Sequence, residues 1–144
     1  MTREDYEDYL RLFNARDYDA VLDHFTEDAE VEFAGFAFKG QQVVKDFYAF
    51  FHEIVDERIT LHRFMSDGDT VALEADVRLE AKADLSETVL EARGLKGLFV
   101  LEKGQVLEVP QFIHYHMRDG KFAKALCAVF TPRHTTYTSL KPVD

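Results

Sequence analysis

Residues 70–83 alternate in character. Val71, Leu73, Ala75, Val77, Leu79 and Ala81 are apolar, and Glu74, Asp76, Arg78 and Glu80 stand between them. A period of two over that length does not fit a helix. It predicts a long strand with one face buried and the other partly wet. Such a strand is not stable alone and needs partners. Residues 57–65 are expected to pair with it across Asp67-Gly68-Asp69, a tight-turn signal. Further strands are expected over 98–102, 105–118 and 121–131, the last two joined by a hairpin turn at Asp119-Gly120. Residues 84–91 read as loop or as a short helix.

Upstream of these strands the period changes. Tyr6, Tyr9, Leu10 and Phe13 recur at helical spacing from residue 2 to about 16, with acidic residues in the first turn. Asp17-Tyr18-Asp19 offers caps for a second, short helix over 20–25. A short strand is expected at 29–34, then a third helix over 41–55. On that helix Val43, Val44, Phe47, Tyr48, Phe50, Phe51, Ile54 and Val55 make the wide apolar stripe of a helix pressed on a sheet. Helices first and long strands afterwards is an α+β order.

The 144 residues suffice for one domain, expected over 1–131, with a polar tail at 132–144. A net charge of −10 repels phosphate backbones and anionic lipid surfaces, which argues against nucleic acid and membranes as partners. No apolar run is long enough to span a bilayer, and Met1-Thr2-Arg3-Glu4-Asp5 lacks the apolar core of a signal peptide. With one cysteine, Cys127, no internal disulfide can form. A cytoplasmic location is the expectation from these features.

Several local words resemble a known family. Tyr9-Leu10-Arg11-Leu12-Phe13-Asn14-Ala15-Arg16-Asp17, followed by Leu22, Phe25 and Thr26-Glu27-Asp28-Ala29-Glu30-Val31, resembles the opening of ketosteroid isomerases and SnoaL-like polyketide cyclases. Gly40-Gln41-Gln42-Val43-Val44-Lys45-Asp46-Phe47-Tyr48 resembles their third-helix start, and Phe112 to Met117 with Asp119-Gly120-Lys121 their final hairpin. The resemblance implies the nuclear transport factor 2-like fold, a cystatin-like roll in which a cone-shaped, curved antiparallel sheet is wrapped by N-terminal helices. It also implies a homodimer through the outer sheet face. Fold likeness does not carry an activity, because one fold hosts many.

By the same resemblance Tyr9 takes the place of an oxyanion-hole tyrosine and Tyr48 that of its supporting tyrosine, so these two are the candidate catalytic residues. The family's catalytic Asp falls on Phe33, with Glu32 beside it, and its protonated Asp falls on Ile113. Without that base and second donor, ketosteroid isomerisation is not expected. The acid that cyclase-like relatives carry on the last strand falls on Cys127, in the apolar run Ala125-Leu126-Cys127-Ala128-Val129. By strand alternation Glu32 should point opposite to Phe33, away from the pocket. His114 and His116 share one face, opposite to Ile113, Tyr115 and Met117, and no third ligand at informative spacing completes a metal site. Asp76 and Arg78 could begin the Asp–Arg–Asp set of a limonene-epoxide hydrolase, but they occupy the wet face of their strand. No metal or cofactor is expected.

Two functions from different classes stay open. In the first, Tyr9, Phe13, Phe33, Tyr48, Phe51, Tyr115 and Cys127 line a pocket for a small, mostly apolar, oxygen-bearing molecule, as in an isomerase, cyclase or dehydratase. In the second, thirteen Phe fill the cone, and the chain is a non-catalytic dimerisation or binding module.

Overall fold

A computed structural model of the chain describes residues 1–130 and 135–143. Helix α1 (Arg3–Asn14) starts in a capping box, where the Thr2 side chain accepts from the Asp5 backbone and the Asp5 carboxylate accepts from Thr2 N. It buries Tyr6, Tyr9, Leu10 and Phe13, the face that the helical spacing defined. Asp17 caps a single-turn helix α2 (Tyr18–Leu22). Next come β1 (Phe25–Phe33), β2 (Phe36–Lys39), α3 (Gln41–Ile54), β3 (Val55–Asp67) and β4 (Thr70–Ala81). A short α4 (Glu87–Ala92), capped by Ser86, precedes β5 (Val106–Arg118) and β6 (Lys121–Val129).

The six strands form one sheet in the order β2-β1-β6-β5-β4-β3. Every pairing is antiparallel except β1 with β6, which run parallel, with Val31 opposite Ala125 and Phe33 opposite Cys127. The sheet is therefore mixed and mostly antiparallel, and the helices-then-strands order is the α+β arrangement expected from the sequence. Helix α1 packs on β3, and α3 on β1, β2 and β3, so both lie on one face of the sheet. The alternation in β4 sets that face: Val71, Leu73, Ala75, Val77, Leu79 and Ala81 are all buried, while Glu74, Asp76, Arg78 and Glu80 lie opposite.

Four local expectations change. The second helix ends at Leu22, and Phe25 already opens β1, because Phe25 is buried against Phe122 of the last strand. Strand β2 was not anticipated; Ala34 and Gly35, with φ of 51° and 83°, fold it back on β1 as a tight hairpin. The expected strand at 98–102 is a loop held by an isolated Leu85–Leu101 bridge, with the Phe99 ring packed edge-on against Phe33 of β1 and Phe51 of α3. Its leucines, Leu95, Leu98 and Leu101, are buried at a spacing of three rather than two, so they anchor a loop and do not line a strand. Strand β6 ends at Val129, and Thr131, where it was expected to end, lies outside the described residues, as do 132–134 of the expected tail. Residues 135–143 carry no helix or strand.

Candidate functional site

Between α3 and the inner face of the sheet lies a cavity of about 50 Å³. Its apolar wall comes from Phe25, Val31, Phe33, Phe47, Phe51, Ile59, Val77, Ile113 and Ala125. Its polar atoms come from Tyr48, Glu57, Gln111, Tyr115 and Cys127. Five of the seven residues expected to line a pocket thus meet at this cavity: Phe33, Tyr48, Phe51, Tyr115 and Cys127.

The other two, Tyr9 and Phe13, are buried beside the cavity without lining it. The Tyr9 ring packs among Phe122 at 5.0 Å, Tyr6 at 5.4 Å and His24 at 5.4 Å. Phe13 stands edge-on behind Tyr48 at 5.3 Å and His52 at 5.5 Å. Both belong to the buried face of α1, which covers the sheet beside α3. Of Tyr9 and Tyr48, Tyr48 lines this cavity and Tyr9 does not.

The cavity contains a carboxylate that the sequence reading missed. Glu57 is on the inward parity of β3, between Val55 and Ile59, and is only 8% exposed. Its Oε1 accepts from His52 Nε2 at 2.9 Å, while Oε2 makes no hydrogen bond to a described residue. His52 reaches it because α3 runs straight into β3: Ile54 ends the helix and Val55 begins the strand. The other imidazole nitrogen, Nδ1, is 2.9 Å from the Tyr18 hydroxyl. Gln111, buried at the inward parity of β5, has no side-chain hydrogen bond among the described residues. The detectable signal was parity: Glu57 and Gln111 occupy apolar-phase strand positions, and His52 follows Tyr48 by one helical turn on the stripe.

The phenols differ in what they bind. Tyr6 and Tyr115 share a hydroxyl–hydroxyl bond of 2.8 Å. The Tyr48 hydroxyl has no partner among the described residues. Burial, and then the neighbouring Glu57 carboxylate, holds the Tyr48 phenol well above its ordinary pKa. Burial does the same for Tyr9 and Tyr115. All three are therefore neutral O–H donors near neutral pH. Burial, aided by Glu57, pushes the Cys127 thiol up to about 12, which leaves it protonated and a poor nucleophile.

The remaining candidates lie on the outer face. Glu32 points away from the cavity, as alternation requires, and pairs with Lys124 at 3.3 Å. Asp76 is bound to His62 at 2.7 Å, and Arg78 to Glu80 at 2.8 Å, so no Asp–Arg–Asp set faces the cavity. His114 and His116 face outward together, their ring centres 4.9 Å apart. Among the described residues no group of three or more His, Cys, Asp and Glu side chains is placed to hold a metal.

The SnoaL-like domain family matches residues 6–125, nearly the whole helix-and-sheet unit. The chain belongs to that family. This SnoaL-like chain superposes on an NTF2-like protein of unknown function from Burkholderia pseudomallei with a TM-score of 0.68, at 13% identity over 90% of this chain and 92% of the other. A protein from Catenulispora acidiphila with a ketosteroid isomerase-like fold, in complex with trimethylamine, gives 0.67 at 14% identity over 89% and 86%. A SnoaL-like polyketide cyclase from Agrobacterium tumefaciens gives 0.66 at 16% identity over 87% of each chain. At these identities the likeness concerns the fold. No curated protein matches the chain by sequence. Among the described residues no helix is long and apolar enough to cross a membrane.

Proposed function

We propose that the cavity is an acid–base site for a small, mostly apolar molecule that carries a carbonyl oxygen, with Glu57 as the proton-transferring group. The observation that carries this reading is the buried Glu57 carboxylate at the cavity wall, one oxygen held by His52 and the other without a partner among the described residues. A carboxylate so fixed is a general base for a proton on the carbon next to a carbonyl. The unpartnered Tyr48 hydroxyl and Gln111 amide would donate to the oxygen as negative charge develops on it, where preorganised donors are worth most. Cys127, kept protonated, adds bulk and not a nucleophile. The base thus arises from β3 rather than from the position of Phe33, which sets the chain apart from a ketosteroid isomerase.

Size restricts the ligand. About 50 Å³ is far below the roughly 300–1,000 Å³ of pockets for drug-sized ligands, so the cavity suits a compact molecule or only the reacting end of a longer one. The same small volume favours the second reading, a cone closed by its own aromatics with no turnover.

Proton exchange separates the two. Acetone, cyclopentanone and acetylacetone are incubated with the protein in deuterated water, and deuterium uptake is followed by NMR. Protein-dependent uptake that falls about 10²–10⁴-fold in Glu57→Gln is expected. Equal rates for both proteins, or none above buffer, favour the closed cone.

A homodimer through the outer sheet face is also proposed. It is supported by a groove of about 690 Å³ lined by Glu32, Phe36, Phe112, His114, Leu126 and Ala128. Inside it, His114 Nε2 is buried without a hydrogen-bond partner among the described residues, and such atoms are usually satisfied. Sedimentation velocity at high micromolar concentration should report twice the chain mass; a strict monomer removes the proposal.

A further inference from the structure

We propose that Tyr18 and His52 form a proton relay that connects Glu57 in the cavity to solvent at α2. This rests on reading Glu57 as the acid–base group, and it adds the route by which that group exchanges protons.

The cavity is small and walled largely by aromatic rings, and a seated ligand would stand between Glu57 and water on that side. The opposite side of Glu57 is different. His52 uses both ring nitrogens, Nε2 to Glu57 Oε1 at 2.9 Å and Nδ1 to the Tyr18 hydroxyl at 2.9 Å. The imidazole is almost fully buried, and Tyr18 is the member of the chain that reaches the surface, half-buried beside its N-cap Asp17.

The ring is also fixed in plane. Tyr48 lies nearly parallel to it at 5.4 Å and 14°, and the Tyr18 ring at 5.8 Å and 10°, while Phe13 abuts it edge-on at 5.5 Å. Lys82 Nζ donates to the His52 carbonyl at 2.6 Å and ties down the end of the helix. An imidazole locked this way cannot rotate to seek other partners. It can take a proton at one nitrogen while releasing another from the second. A staple holding α3 to β3 would need only the Glu57 bond. Tyr18 adds a hydroxyl, which is both donor and acceptor, on a half-buried residue at the surface.

The transfer balances in three hops. From ionised Glu57 with a proton on His52 Nε2, that proton passes to Glu57 Oε1. The Tyr18 hydroxyl gives its own proton to Nδ1, and a hydronium ion from solvent reprotonates the Tyr18 oxygen and leaves as water. One proton has entered, Glu57 is neutral, and the imidazole has exchanged tautomers. The reverse sequence discharges the carboxyl group to solvent. Tyr18 and His52 are positioning and relay residues, and neither lines the cavity.

Tyr18→Phe keeps the ring and deletes only the relay oxygen. With the protein's histidines labelled with ¹⁵N, the exchange of the His52 ring proton with solvent is measured by NMR, without any ligand. Slowing of at least about tenfold in Tyr18→Phe is expected, with an unchanged circular-dichroism spectrum and a still cooperative melt as the fold control, since the unpaired His52 Nδ1 lowers stability. The second readout is deuterium uptake by the ketone probes, where Tyr18→Phe should lower the maximal rate and leave the half-saturating concentration unchanged. Unaltered ring-proton exchange overturns the relay, even if Glu57→Gln abolishes uptake and the acid–base reading stands. If no probe ketone exchanges with any protein, the acid–base reading falls, and the ring-proton measurement still decides the relay.

Discussion

The aromatic cluster around Phe122 and the polar wall at the α3–β3 junction lie on the same inner side of the sheet, yet they treat polar atoms in opposite ways. Around Phe122 the rings of Tyr115, Tyr9 and Phe25 close in at 4.3, 5.0 and 5.1 Å, and the Tyr6 and Tyr115 hydroxyls satisfy each other. At the cavity wall, Tyr48 of α3 and Gln111 of β5 keep polar groups without partners among the described residues, and Glu57 keeps one such free oxygen. A tyrosine whose hydroxyl is paired inside the protein serves stability. One left unpaired beside a cavity is free for a ligand, at some expense to the fold. The contrast separates the part of the core that holds the molecule together from the part available for chemistry.

The largest effect should follow from emptying the packed side. Phe122→Ala removes a fully buried ring that touches Tyr6, Tyr9, Phe25 and Tyr115, and about 3–5 kcal/mol of stability should go with it. Urea unfolding measures this. A loss within about 1 kcal/mol would mean that the cluster collapses around the gap, and the contrast between the two regions would weaken.

A matched pair of smaller changes sharpens the comparison. Tyr6→Phe strands the Tyr115 hydroxyl in a buried site and should cost about 1–3 kcal/mol. Tyr48→Phe deletes a hydroxyl with no partner and should leave stability within about 0.5 kcal/mol, while weakening a bound carbonyl compound by about 0.5–1.5 kcal/mol. Equal stability losses for the two variants would erase the distinction drawn between paired and unpaired phenols.

Much of this division could be read from the chain before its fold. The strict alternation of 70–81 assigns inner and outer faces, and Asp119-Gly120 places the final hairpin, with φ of 54° and 74° as an Asp-Gly turn of this kind requires. The apolar stripe of 41–54 brings Tyr48 and Phe51 inward. Less legible was which strands are neighbours, because alternation describes the faces of a strand and not its edges. The β1–β6 pairing is a long-range choice with no local signature. Glu57, His52 and Gln111 escaped for another reason. Each is a polar residue on an apolar phase, and each reads as an interruption of a pattern until the α3–β3 joint brings the first two face to face. The likeness to ketosteroid isomerases pulled attention toward Phe33, where this chain carries no acid, and away from β3, where it does.

The parallel seam between β1 and β6 governs the order in which the molecule can be completed. Val31 faces Ala125 and Phe33 faces Cys127, so the first long strand waits for the last one to be synthesised. Chains emerge N-terminus first, and contacts this distant in sequence form slowly because a long loop must close before they are rewarded. Until β6 arrives, the β1–β2 hairpin has an open inner edge and the cavity lacks the wall made by Ala125 and Cys127. A nascent chain stopped before residue 121 can form β3, β4 and β5 as a three-stranded unit, with β1 left without a neighbour on that side. The Ala125 and Cys127 wall is therefore the last part of the pocket to be added, and a truncation at the C-terminal strand leaves the cavity open on that side.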